Sequence, residues 1–140
     1  MQITLKRLNN DVLFQCTNED GNTTLTEGSP DIGGTGQGIR PMQLLLMSLA
    51  SCSGIDVVMI LKKLRQPLED IQVEVNGERD TENVPPVFKK IHLHFILQGD
   101  LNEEKVAKAI GLSVDKYCSV ARMLEKTAAI SWDFELILPK

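Results

Sequence analysis

The stretch from Ile39 to Arg65, IRPMQLLLMSLASCSGIDVVMILKKLR, constrains this chain more than any other. Pro41 suits a first helical turn, Lys62, Lys63 and Arg65 put positive charge where the helix dipole favours it, and few breakers intervene. These features predict a helix of about 24 residues, roughly 36 Å long. Its apolar residues, among them Leu44, Leu46, Leu49, Ile55, Val57, Met59 and Leu61, go all the way round the cylinder, so the helix has to be buried on every side. Gln43, Ser48, Ser51, Ser53 and Asp56 interrupt it and no second hydrophobic segment accompanies it, which favours a core helix over a membrane span. A chain of 140 residues has difficulty surrounding such a helix alone. A dimer that shares the burial is therefore a physical expectation.

The rest of the chain supplies what surrounds it. Residues 2–8, 12–17 and 22–27 read as strands, with the polar NEDGN as a tight turn between the last two. GSPDIGGTGQG, with its glycines and a proline, reads as a flexible loop. After Pro67, residues 71–79 and 88–98 alternate apolar and polar, as half-buried antiparallel strands do. Asp100 to Asn102 offer N-caps for a second helix that breaks near Gly111, and residues 113–126 read as a third. AISWDFELIL closes the chain as a strand. Three strands, a long helix, two strands, two helices and a strand make an α+β order with a largely antiparallel sheet, in one domain spanning residues 1–140.

Composition removes several functions. A net charge of −4 and a pI near 5.2, with the basic residues scattered, lack the footprint of a nucleic-acid binder. The glycine-rich loop has neither the GxxxxGK[ST] of a phosphate loop nor the βαβ setting of a dinucleotide fold. The first residues alternate instead of forming the apolar run of a signal peptide, so the expected location is the cytoplasm. Three cysteines at wide spacing suit neither a secreted disulfide framework nor a CxxC metal site. Any chemistry they do should be catalytic or redox.

Cys52 lies about three turns into the long helix beside Ser51, Ser53 and Gly54, small neighbours that leave room for something to approach the sulfur. A lone helical cysteine is more often a small buried hydrophobe. Cys118 falls on a later helix with Lys116 and Arg122 nearby, cations that would lower a thiol pKa. Cys16 has only strand neighbours and reads as structural. His92 and His94 share one strand face, as two metal ligands could, but no cysteine or carboxylate spacing completes a site, and simple solvent exposure fits the alternation better. Asp56, four residues after Cys52, shares its helix face and could order a catalytic group or make a buried structural hydrogen bond.

RPMQLLLMSLASCSGIDVVMILKKLR, followed by YCSVARMLEKT and a closing strand, resembles the OsmC/Ohr family over nearly the whole chain. The resemblance implies an OsmC-like fold, antiparallel sheets packed around a long buried central helix in an intertwined homodimer. It also implies a thiol-dependent peroxidase that uses no cofactor or metal. Cys52 and Cys118 match the family's two cysteines: the first would attack an organic or inorganic hydroperoxide, the second would resolve the sulfenic acid as a disulfide, and an external dithiol would restore both. The family's glutamate after the proline aligns with Met42, and the proline after the second cysteine is replaced by Ser119. Arg40, just ahead of the helix, is the candidate cation for activating Cys52, with Arg7 as the alternative. The competing readings are a dimer that holds a small hydrophobic ligand without peroxidase chemistry and a purely structural or partner-binding subunit.

Overall fold

A computed structural model describes residues 1–140. The chain forms two compact units, Met1–Leu45 and Leu46–Lys140.

The first unit is a meander of β1 (Thr4–Arg7), β2 (Leu13–Thr17) and β3 (Thr23–Glu27), all antiparallel. The glycine-rich segment after it is a loop, as expected, with one short regular element. It opens with a single 3-10 turn, Pro30–Ile32, and closes around the carboxylate of Glu27. Glu27 accepts the backbone N–H groups of Thr35 at 2.8 Å and Gly38 at 3.0 Å and the Thr35 hydroxyl at 3.1 Å. These donors, the Thr35 amide foremost, hold the carboxyl below the ordinary carboxylate range. Gly33 ends the 3-10 turn at φ +99°, a conformation that favours glycine. The segment then returns beside β3, with Glu27 N–H donating to Ile39 O at 3.1 Å and Ile39 N–H to Leu25 O at 2.9 Å.

The long helix α1 (Pro41–Lys63) starts within a residue or two of its expected boundary and ends with Lys62 and Lys63 in the last turn. In the second unit it is followed by β4 (Leu68–Arg79), β5 (Phe88–Gly99), α2 (Glu103–Leu112), a π turn (Ser113–Tyr117), α3 (Ser119–Leu124) and β6 (Ala129–Ile137). Asn102 caps α2 by accepting the Lys105 N–H, and Glu103 and Glu104 lie in the favourable first turn. The helix does not break at Gly111. It passes into the π turn two residues later.

β5 is the central strand of the order β4-β5-β6. It is antiparallel to β4 and parallel to β6. The parallel pair is possible because α2, the π turn and α3 form a crossover long enough to bring the chain back in the same direction. Ile91, Leu93, Phe95 and Leu97 of β5 are buried to 1% exposure or less. The rows Val73–Phe95–Phe134 and Val75–Leu93–Trp132 run across all three strands on that same face.

α1 packs on this face. A Cβ on Gly54 would lie 3.8 Å from Val73 Cγ2, an ordinary contact, and Leu46 reaches Gly77 beside Phe88. The expectation that the helix is buried on every side is corrected: only the i+4 stripe Leu49, Ser53, Val57 and Leu61 is buried in a single chain. Met47, Ile55, Val58 and Met59 remain 37–65% exposed, because one sheet covers one side of a cylinder. By length and composition α1 is apolar enough to cross a bilayer, yet that stripe is packed inside the unit.

Candidate functional site

Cys52 and Cys118 meet where α1 passes the start of α3. All three cysteines are free thiols, with Cys118 buried and Cys52 half-buried. Cys118 closes the π turn, its N–H donating to Ser113 O at 2.8 Å, and its sulfur caps α3 by accepting the Ala121 N–H at 3.3 Å. An N-cap needs an acceptor on a short side chain, and the thiol takes the place usually filled by serine or aspartate.

Cys52 and Cys118 are near enough to influence each other's titration, and they do so in opposite directions. Burial is the largest influence on Cys52 and raises its pKa. The Val120 N–H, the Cys118 thiol and the Ser119 hydroxyl together outweigh burial and the opposing Asp56 charge, so the Cys52 pKa ends below its ordinary value. Burial, then the hydrogen bond and charge of Cys52, push the Cys118 thiol up to about 11. Of the two thiols, Cys52 is therefore the more readily deprotonated and Cys118 the one that keeps its proton.

The cations expected to activate Cys118 are engaged elsewhere. Arg122 donates to Glu125 at 2.6 Å and to Asp115 O at 2.8 Å, and Lys116 lies 5.3 Å from the centre of the Tyr117 ring. The expected lowering of the Cys118 pKa is corrected to a rise, since desolvation of a buried thiol disfavours its charge. Arg40 belongs to the first unit, immediately ahead of α1. Its N–H donates to Gln43 Oε1 at 3.0 Å and its charge acts on Asp31. Arg7 is exposed on β1.

Sequence reasoning missed Ser113. Fully buried, its hydroxyl faces Ser53 O at 3.2 Å and Asp56 Oδ2 at 3.1 Å. No residue pattern announces a π turn, although a serine among apolar residues five positions before Cys118 is the one signal available. Ser119 and Val120 were likewise visible only as the place where a proline was missing.

Cys16 stays apart from this chemistry as expected, half-buried on β2 with its sulfur 3.7 Å from Thr26 Oγ1. His92 and His94 lie on the outer face of the sheet as expected, but they do not simply face solvent. Both converge on Asp133 Oδ1, His94 Nδ1 at 2.6 Å and His92 Nε2 at 3.0 Å, while His92 Nδ1 meets Ser131 Oγ at 2.8 Å. The parallel register that sets Asp133 opposite His94 and Ser131 opposite His92 is the cause.

A wider match follows this geometry. Residues 34–133 match the OsmC-like protein family, a span that contains α1, the π turn and both site cysteines. Protein YhfA of Escherichia coli K12 is 48% identical over 98 residues, 69% of this chain and 72% of that protein. The chain belongs to the OsmC-like family. Its fold is also that of a hypothetical protein from Aquifex aeolicus, 31% identical with a TM-score of 0.81 over 97% of this chain and 96% of that one. An organic hydroperoxide resistance protein OsmC from Legionella pneumophila has a TM-score of 0.73 at 16% identity, over 96% of this chain and 97% of that one. At that identity the likeness is one of fold. The OsmC-like α+β fold expected from the sequence is thus established for the chain, with a parallel β5–β6 pair where antiparallel sheets were expected.

Proposed function

We propose that this OsmC-like protein is a thiol-dependent peroxidase that reduces hydroperoxides through Cys52 and Cys118. The observation that carries the reading is the pairing of two neighbouring free thiols, of which Cys52 is lowered below its ordinary pKa and Cys118 is pushed up to about 11. The name of the Legionella relative in fold, which concerns organic hydroperoxide resistance, points the same way.

The Cys52 thiolate attacks the terminal oxygen of the hydroperoxide. An S–O bond forms, the O–O bond breaks, and the departing alkoxide takes up one proton to leave as an alcohol, with Cys52 as sulfenic acid. That step removes the charge that holds the Cys118 proton. The hydrogen bond and charge of Cys52 both raise the Cys118 pKa, so oxidation of Cys52 eases deprotonation of its resolving partner. The Cys118 thiolate then attacks the Cys52 sulfur, the S–S bond forms, and hydroxide leaves as water after taking a proton. An external dithiol supplies two electrons and two protons to regenerate both thiols.

The reading includes a homodimer in which a second copy covers the exposed Met47, Ile55, Val58 and Met59 face of α1. Ile55→Asp is expected to shift the protein toward monomer in sedimentation velocity. Wild-type protein that sediments as a monomer at micromolar concentration would remove this part.

A second reading has its own observation. A cleft of about 450 Å³ lies between α1 and the α2–π segment, with apolar Met59, Ile60 and Leu112 and charged Asp56, Lys63 and Lys108 among its walls. That is the size and character of a small-molecule site.

Peptide mass spectrometry after one equivalent of cumene hydroperoxide separates the two. The peroxidase gives a Cys52–Cys118 disulfide in the wild type, trapped sulfenic acid on Cys52 in Cys118→Ser, and turnover lowered by about a thousandfold or more in Cys52→Ser. Unmodified thiols together with a co-purifying apolar molecule would transfer the function to the cleft.

A further inference from the structure

The mechanism above leaves one buried polar connection unused. Ser113 is fully buried and ties two elements together through different atoms. Its hydroxyl, with one proton to share, faces the Ser53 carbonyl and the Asp56 carboxylate on α1, while its carbonyl accepts the Cys118 N–H. Ser53 and Asp56 follow Cys52 by one and four residues on the same helix, so one end of the connection lies near Cys52 and the other at Cys118.

The π turn makes this geometry possible. In an α-helix residues five apart are rotated by about 140° from one another. The i→i+5 bond of a π turn instead brings residue 118 back over residue 113. Ser113 and Cys118 can then both address α1, the first by its hydroxyl and the second by its sulfur. π turns are costly enough to be rare, and they recur where a side chain has to be re-aimed.

We propose that the Asp56–Ser113 hydrogen bond, acting through the π turn, positions Cys118 against Cys52 for disulfide closure. Asp56 and Ser113 are positioning residues, since neither touches the reacting sulfur–oxygen bond. The proposal rests on the thiol reading of the site and adds to it a device for the resolving step alone.

The step it serves can be driven without a peroxide. Diamide adds to the Cys52 thiolate, and attack by Cys118 then forms the S–S bond. The two electrons and two protons removed from the thiols reside in the hydrazine product. In both closures Cys118 attacks the Cys52 sulfur: with diamide the S–N bond breaks and the hydrazine leaves, and after peroxide the S–O bond breaks and hydroxide leaves.

The test is rapid-quench kinetics of sulfenic acid and disulfide at Cys52, with cumene hydroperoxide and separately with diamide, in Ser113→Ala, Asp56→Ala and Asp56→Asn. The expected result is closure slowed by about tenfold or more in Ser113→Ala and Asp56→Ala with either oxidant, because a small misplacement of an attacking group is costly. Formation of sulfenic acid stays within about twofold of wild type in Ser113→Ala, and in the Asp56 variants when rates are compared at a pH above each protein's own Cys52 midpoint, which also shows that the variants are folded. Asp56→Asn keeps an accepting oxygen and recovers most of the closure rate.

Asp56→Asn has a second readout with a definite sign. The Asp56 charge raises the Cys52 pKa, so its removal moves the pH profile of Cys52 alkylation to lower pH. Loss of the native contacts would move it to higher pH, toward the ordinary thiol value of 9.0. Unchanged closure rates in both alanine variants, or an upward shift in Asp56→Asn, would overturn the proposal. Wild-type protein that forms no sulfenic acid with peroxide would end the peroxidase reading, and the diamide closure rates would then decide the positioning role alone.

Discussion

The second unit contains two clusters in which titratable groups influence one another, and they behave in opposite ways. At the junction of α1 and α3, Cys118 is buried and Cys52 half-buried. Burial is the first influence on each thiol, and the Cys118 pKa reaches about 11. On the outer face of the sheet, His92, His94 and Asp133 are 30–62% exposed and the largest influence on His94 and on Asp133 is the hydrogen bond between them. In the first cluster proton position is decided by solvation and by which sulfur holds the charge. In the second, water screens the pair and the contact does little beyond fixing the side chains. Shared hydrogen bonds alone do not make a reactive site. In the proposed reading, desolvation and a partner whose charge changes during the reaction do.

The largest expected effect tests that distinction at Cys118. In Cys52→Ala the charge and hydrogen bond of the neighbouring thiolate are gone while burial remains. The Cys118 titration midpoint, read by thiolate absorbance in a Cys16→Ser background, is expected to fall from about 11 yet stay above the ordinary 9.0. Each unit of fall raises the thiolate fraction tenfold at fixed pH below the midpoint. A midpoint that does not move would mean that Cys118 does not sense Cys52, and the proposed hand-over between the two steps would be lost. A companion variant, Arg40→Ala, addresses the cation singled out in the sequence. The groups that lower the Cys52 pKa are the Val120 N–H, the Cys118 thiol and the Ser119 hydroxyl, so its alkylation profile is expected to keep its midpoint, and an upward shift would assign the guanidinium a share in activation.

The two clusters were also unequally legible in the sequence. Element types followed from periodicity: α1 from its unbroken apolar run, β4 and β5 from alternation, α2 from Asn102 and its two glutamates. Cys52 and Cys118 stood out because the chain has only three cysteines, and the family pattern paired them. What resisted reading was set by long-range packing. The parallel β6, which puts Asp133 against His94, depends on where a crossover returns. The π turn that aims Cys118 inserts one residue into a helix without any compositional sign. The ordering of the glycine-rich loop depends on Glu27, whose side chain was assigned to a strand end and not to the loop it staples. The burial of α1 was overread because the periodicity reports which faces are apolar and not what covers them.

The smallest expected effect belongs to the outer cluster, and its sign follows from the two shifts. His94 is raised above 6.5, first by its hydrogen bond to Asp133, so its contribution to stability is complete below 6.5 and is lost as pH rises through the folded-state value. Asp133 is lowered below 3.8, first by His94 and then by His92, so its contribution is present above 3.8 and is lost as pH falls through its folded-state value. The interaction is therefore fully expressed between about 4 and 6.5 and fades on either side. Thermal unfolding of wild type and Asp133→Asn across pH 3 to 9 should show a gap in Tm that is widest in that window and closes above it, while peroxide turnover remains equal in the two proteins throughout. A gap that persists undiminished at pH 9 would show that Asp133 acts through something other than a charged histidine. A loss of turnover in Asp133→Asn would break the contrast itself, because it would couple the solvated face of the sheet to the buried thiols.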